Sequence, residues 1–191
     1  MKLSKWTKFM AVGMIVSGML LAGCGQSSAP APKAEQKKPA GLVVGQAANP
    51  TTMDPQDTQD TLAYSIQRTM YEGLLSFDKD MKVIPVLADG MPELAKDAKS
   101  ITFKLKKGIK FQDGADFNAE AVKVNIERVI NPANKLKRAS LYSAIEKVEI
   151  IDPNTVKIIL NKPFAPIVQA FAHPAGGMIS PKAIKEAAKD L

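Results

Sequence analysis

The chain has 191 residues, 46% of them hydrophobic and 24% charged, with a formal net charge of +7, one cysteine and one histidine. A lone cysteine excludes an internal disulfide, and a lone histidine excludes a His-rich metal site. Setting aside Lys2, Lys5, Lys8, Lys33, Lys37, Lys38 and Glu35, all before Gly41, leaves twenty basic against eighteen acidic residues. That near-neutral remainder has no electrostatic footprint for nucleic acid.

Lys2, Lys5 and Lys8 form a basic N-terminus ahead of an uncharged, mostly apolar run from Phe9 to Gly23. The run is long enough for a secretory signal core and too short to span a bilayer. It closes on Leu21-Ala22-Gly23-Cys24. The order of basic end, apolar core, small residues and cysteine resembles a bacterial lipoprotein signal. The resemblance implies cleavage between Gly23 and Cys24 and a diacylglyceryl thioether on Cys24. The mature protein is then extracytoplasmic and lipid-anchored to the cell membrane, on its periplasmic side or outer surface. A plain secretory signal with an incidental cysteine is the alternative. After residues 1–23, residues 24–40 are rich in Ser, Ala, Pro, Lys and Gln. Such a composition buries too little apolar surface to order itself and reads as a flexible tether.

From Gly41 the pattern is globular. Leu42-Val43-Val44 is a short strand candidate, followed by the turn-rich Asn49-Pro50-Thr51-Thr52-Met53-Asp54-Pro55. Leu62, Ile66, Met70 and Leu74 recur at helical spacing, which predicts a helix capped by Asp60 or Thr61, running to about Tyr71 and ended by Gly73. Leu74–Phe77 and Val83-Ile84 flank a turn at Asp78-Lys79-Asp80. The alternation of Ile101, Phe103 and Leu105 with Thr102, Lys104 and Lys106 predicts a half-buried strand. Gly108 breaks it, Ile109 and Phe111 resume it, and Gln112-Asp113-Gly114 turns the chain. Asn118 caps a helix with Glu120 in its first turn and an apolar face of Val122, Ile126, Val129 and Ile130, stopped by Asn131-Pro132. Val148 and Ile150 pair with Val156, Ile158 and Leu160 across a turn at Asp152–Thr155. Ser180-Pro181 opens a last helix. Its pattern of Ile184, Ala187, Ala188 and Leu191 reaches the final residue without a polar tail, as though further sequence belonged after it.

Three blocks near the start carry a resemblance: Asn49–Pro55, Tyr71-Glu72-Gly73-Leu74-Leu75 and Val83–Ala88. Ile101–Gly114 with Phe117–Lys123 is the most specific block, and Ile179-Ser180-Pro181-Lys182-Ala183 follows. In this order they resemble the peptide/nickel-type extracellular solute-binding proteins, the substrate-binding lipoproteins of ABC importers. The resemblance departs at Gly90-Met91, where the family commonly carries a tryptophan. It implies a mixed α/β fold in which residues 41–191 form the incomplete first lobe of a two-lobed clamp, a mixed sheet with flanking helices. It also implies that an acidic residue pairing with the amino group of a peptide ligand lies outside the matching stretch.

The function so implied is capture of peptides or a similar small solute for import, with an ABC permease and the membrane as partners. No catalytic residue, metal or cofactor is expected, and nucleic acid is not a partner. A single lobe offers half the contacts of a clamp and is expected to bind weakly. Candidate ligand residues are Thr51, Thr52, Met53 and Asp54, in the loop after the first expected strand, where α/β clefts form. The loop reads equally as a structural turn through Asp54-Pro55. His173 is a further candidate, with a structural role as its alternative. Two other functions compete. One is a standalone surface-exposed peptide-binding lipoprotein. The other is an extracytoplasmic hydrolase using His173, although the chain has no Gly-x-Ser-x-Gly, zinc-binding His pair or phosphate loop.

Overall fold

The computed structural model describes residues 41–187. The expected signal peptide, Gly23, Cys24 and the tether lie outside the described residues, as does the end of the last helix. The folded unit begins at Gln46. The strand expected at 42–44 does not form: Leu42 and Val43 are 90% and 91% exposed. A short apolar run becomes a strand only where a neighbouring edge accepts its backbone hydrogen bonds.

Helix α1 (Thr61–Gln67) is capped by Asp60, whose carboxylate accepts the Leu62 N–H. It ends four residues before the expected point. The N–H groups of Thr69 and Met70 bond to the carbonyls of Ile66 and Gln67, and the Thr69 hydroxyl also donates to the Ile66 carbonyl, so the last turn tightens and closes. Gly73 therefore caps nothing. Its role is close approach, because a Cβ there would lie 3.0 Å from the Leu75 carbonyl oxygen and 3.2 Å from that of Gly176.

Strands β1 (Leu75–Phe77) and β2 (Val83–Pro85) form the expected hairpin. Asp78 builds its turn by accepting the N–H groups of Asp80 and Lys82. Four strands make the second sheet: β3 (Glu93–Leu94), β4 (Ser100–Lys104), β5 (Ile145–Asp152) and β6 (Thr155–Leu160), in the order β3-β4-β6-β5. Every pairing among the described residues is antiparallel. The register puts Val148 opposite Ile158, Ile150 opposite Val156 and Phe103 opposite Val156.

Ile109 and Phe111 do not resume the strand. Gly108 turns the chain out at φ +72°, after which Phe111 bonds to the Ala115 carbonyl and Phe117 to that of Ile109. The pairing is spent inside this loop, leaving a single bridge between Lys110 and Asp116. Gly114, at φ +83°, makes the expected turn.

Helix α2 (Ala119–Ile130) starts at Asn118, whose side chain accepts the Ala121 N–H, and buries Val122, Ile126 and Val129 against β5 and β6. The short helix α3 (Ile167–Ala172) packs on β1 and β2, and α4 (Pro181–Ala187) closes the described residues. Asn125, fully buried on α2, holds the segment before α4 in two-point fashion. Its Nδ2 donates to the Ile179 carbonyl at 2.7 Å and its Oδ1 accepts the Ile179 N–H at 2.9 Å.

Candidate functional site

The loop before α1 is organised by its own short polar side chains. Thr52 Oγ1 accepts the Asp54 N–H, Asp54 Oδ1 accepts the Gln56 N–H, and Thr58 Oγ1 accepts the Asp60 N–H. Such local bonds satisfy a backbone that enters neither helix nor sheet. Long-range bonds then dock the loop on α2. Arg128 forms an ion pair with Asp54 and donates to Gln56 Oε1 at 2.6 Å, while Gln56 Nε2 donates to the Asn125 carbonyl at 3.2 Å.

Of the residues singled out in the sequence, Thr51 is exposed and Thr52 and Met53 are half-buried. The Asp54 carboxylate is committed to Arg128. His173 lies elsewhere in the sequence but on a connected wall. It caps a one-turn 3₁₀ helix (Pro174–Gly176) by accepting the Ala175 N–H at Nδ1, 3.0 Å away. Its ring stands edge-on to Tyr64, with centroids 5.5 Å apart.

Arg138 completes this wall. Its guanidinium carbon sits 5.1 Å from the centre of the Tyr64 ring, and its Nε donates to the Thr58 carbonyl at 2.7 Å. The Tyr64 hydroxyl donates to the same carbonyl at 2.8 Å. Among the described residues Arg138 has no carboxylate partner, whereas Arg128 does. A guanidinium stacked on an aromatic face, with no carboxylate partner among the described residues, is suited to a carboxylate. Sequence reasoning missed it because its partners, Thr58 and Tyr64, are more than seventy residues away in the chain.

Burial pushes the His173 imidazole below its ordinary value of 6.5, and the Arg138 charge adds to the shift. Burial raises Tyr64 above its ordinary value, against the opposing pull of Arg138. The neutral form of His173 is also the one whose Nδ1 can accept the Ala175 N–H. Its folded-state pKa is depressed, so its contribution to stability is present above about pH 6.5 and is lost as the pH falls through the lower folded value. Thermal midpoints measured across this range should fall with acidification in the wild type. His173→Gln, which keeps an acceptor without a titratable ring, should flatten that slope.

A cleft of about 490 Å³ opens beside His173. Gln67, Tyr71, Glu72, Phe77 and Pro174 are among the residues that line it. Among the described residues no group of three or more His, Cys, Asp or Glu side chains could hold a metal ion.

A family model described as bacterial extracellular solute-binding proteins, family 5, middle region, matches residues 82–190. The glutathione-binding protein GsiB of Salmonella choleraesuis (strain SC-B67) is 49% identical over 150 residues, covering 78% of this chain and 29% of the relative. The solved structure of the binding protein AgaA with agropinic acid, from A. tumefaciens R10, is 29% identical with a TM-score of 0.70. That match covers 74% of this chain and 28% of AgaA. NikZ of Campylobacter jejuni, in complex with Ni(L-His), is 28% identical with a TM-score of 0.63 over 73% of this chain and 27% of NikZ. The chain thus spans under a third of the length of these relatives, which are substrate-binding proteins and not enzymes. Its described residues are a mixed α/β unit corresponding to part of one lobe of the two-lobed binding-protein architecture. With more than half of its length matched in this way, the chain belongs to the bacterial extracellular solute-binding proteins of family 5.

Proposed function

We propose that this chain serves as solute-binding lipoprotein of an ABC importer and takes small peptides of the glutathione kind. The observation that carries the reading is the 49% identity over 150 residues to a glutathione-binding protein. Arg138, stacked and without a carboxylate partner among the described residues, supports it, because such peptides carry carboxylates. His173 and Tyr64 form the wall beside that guanidinium. Thr51, Thr52 and Met53 add hydroxyl and thioether surface from the loop, and Asp54 positions that loop through Arg128. Residues 1–23 act as signal peptide, Cys24 as the lipidated residue, 24–40 as tether and 41–191 as a share of the first lobe. The partner is the importer's permease.

A clamp holds its solute by contacts from two lobes, and the surfaces described here supply one side. Calorimetric titration of the purified chain with glutathione should therefore give weak binding, with a Kd on the order of 1 mM. Arg138→Ala should weaken it at least about tenfold, with Arg138→Lys intermediate, since a lysine cannot reproduce the planar two-point contact. Absence of glutathione binding, or binding indifferent to Arg138→Ala, would overturn the proposal.

A further inference from the structure

Gln67 is 2% exposed and its Nε2 donates to the Thr52 carbonyl at 3.2 Å. Its Oε1 is the one buried side-chain polar atom among the described residues that has no hydrogen-bond partner. Buried acceptors are rarely left in that state, because an unmade bond forfeits the solvation the group gave up. Gln67 lines the cleft of about 490 Å³ that His173 also lines. The cleft has an apolar side, made by Leu75, Phe77, Val86, Ala172 and Pro174.

We propose that this cleft is a subsite for a peptide bond of the captured solute, whose amide N–H donates to Gln67 Oε1. The assignment rests on the peptide-binding reading above and names a second point of recognition beyond Arg138. A neutral N–H donor suits the position because the acceptor is an uncharged amide oxygen, although Arg68, Glu72 and Asp78 also line the cleft. Arg138 stacks on Tyr64 and Tyr64 meets His173 at successive separations of 5.1 and 5.5 Å, and His173 borders the cleft. Gln67 Oε1 is covered while the cleft is empty, so entry of the donor requires the cleft-lining side chains to shift.

The test is a cycle on the full chain with glutathione and two analogues, each N-methylated at one of the two amides. One analogue should bind the wild type about tenfold more weakly than glutathione. Gln67→Met, which keeps the length and removes the acceptor, should bind glutathione and that analogue equally. A readout independent of any variant is the side-chain amide resonance of Gln67 in the isotope-labelled wild type. It should move on adding glutathione and stay in place on adding that analogue. If glutathione binds but neither analogue is discriminated, or discrimination survives Gln67→Met, the subsite is wrong while the solute-binding reading stands. If glutathione does not bind the wild type at all, both are overturned.

Discussion

Phe103→Ala is expected to lower the stability of the folded unit by about 3–5 kcal/mol. Phe103 is fully buried in β4, opposite Val156. Its ring meets Phe171 edge-on at 5.0 Å, and Phe171 in turn leans on Tyr142 at 5.6 Å. These contacts join the four-stranded sheet to α3 and the loop that carries His173. Truncation to alanine removes the transfer free energy of the ring and leaves a cavity that the sheet cannot collapse to fill. It also deletes an aromatic pair worth about 0.5–1.5 kcal/mol beyond its area. Domains are stable by only about 5–15 kcal/mol, so the variant should melt far below the wild type or fail to fold. Ile151→Ala is the matched control, because Ile151 is 59% exposed on β5; its cost should stay within about 0.5 kcal/mol. Urea unfolding of the two variants decides the matter. Similar midpoints would mean that Phe103 does not sit in the core described.

The second large effect concerns Cys24. Cells producing the chain with labelled palmitate should yield labelled protein in the membrane fraction, and Cys24→Ala should abolish the label entirely. The loss is all-or-none because Cys24 is the only thiol in the sequence. The anchoring it removes is large, since each buried acyl methylene contributes about 0.8 kcal/mol and two chains together hold stably. Unlabelled wild-type protein, or label retained by Cys24→Ala, would remove the lipoprotein proposal and leave the family assignment untouched. That assignment rests on residues 82–190.

The elements legible in the sequence share one property: their signals are local. Asn118 and Asp60 could be read as caps because a cap bonds to a backbone group two or three residues away. The β5–β6 hairpin could be read because strands of alternating pattern meet across a short turn. Elements that failed or were missed depend on distant partners. Residues 42–44 have strand composition yet form no strand. Ile109 and Phe111 alternate correctly but pair within their own loop. Helix α3 was missed because it is only six residues long, under two turns, and four of them (Ile167, Ala170, Phe171 and Ala172) are buried, too short a run to reveal a period.

The candidate site divides along the same line. His173 and Asp54 drew attention as residue types, yet nothing in the sequence separated Arg138, stacked and without a carboxylate partner among the described residues, from Arg128, paired with Asp54. Nor could the sequence single out Gln67, one glutamine among several, as the residue left with a buried bare acceptor among the described residues. The residue string alone pointed to the family and the mixed α/β class, since both are written in contiguous motifs. Only the tertiary structure decided which polar groups are satisfied and which are left without a partner among the described residues. Hydrogen-bond saturation is a property of neighbours in space, and here those neighbours lie as much as eighty residues apart along the chain.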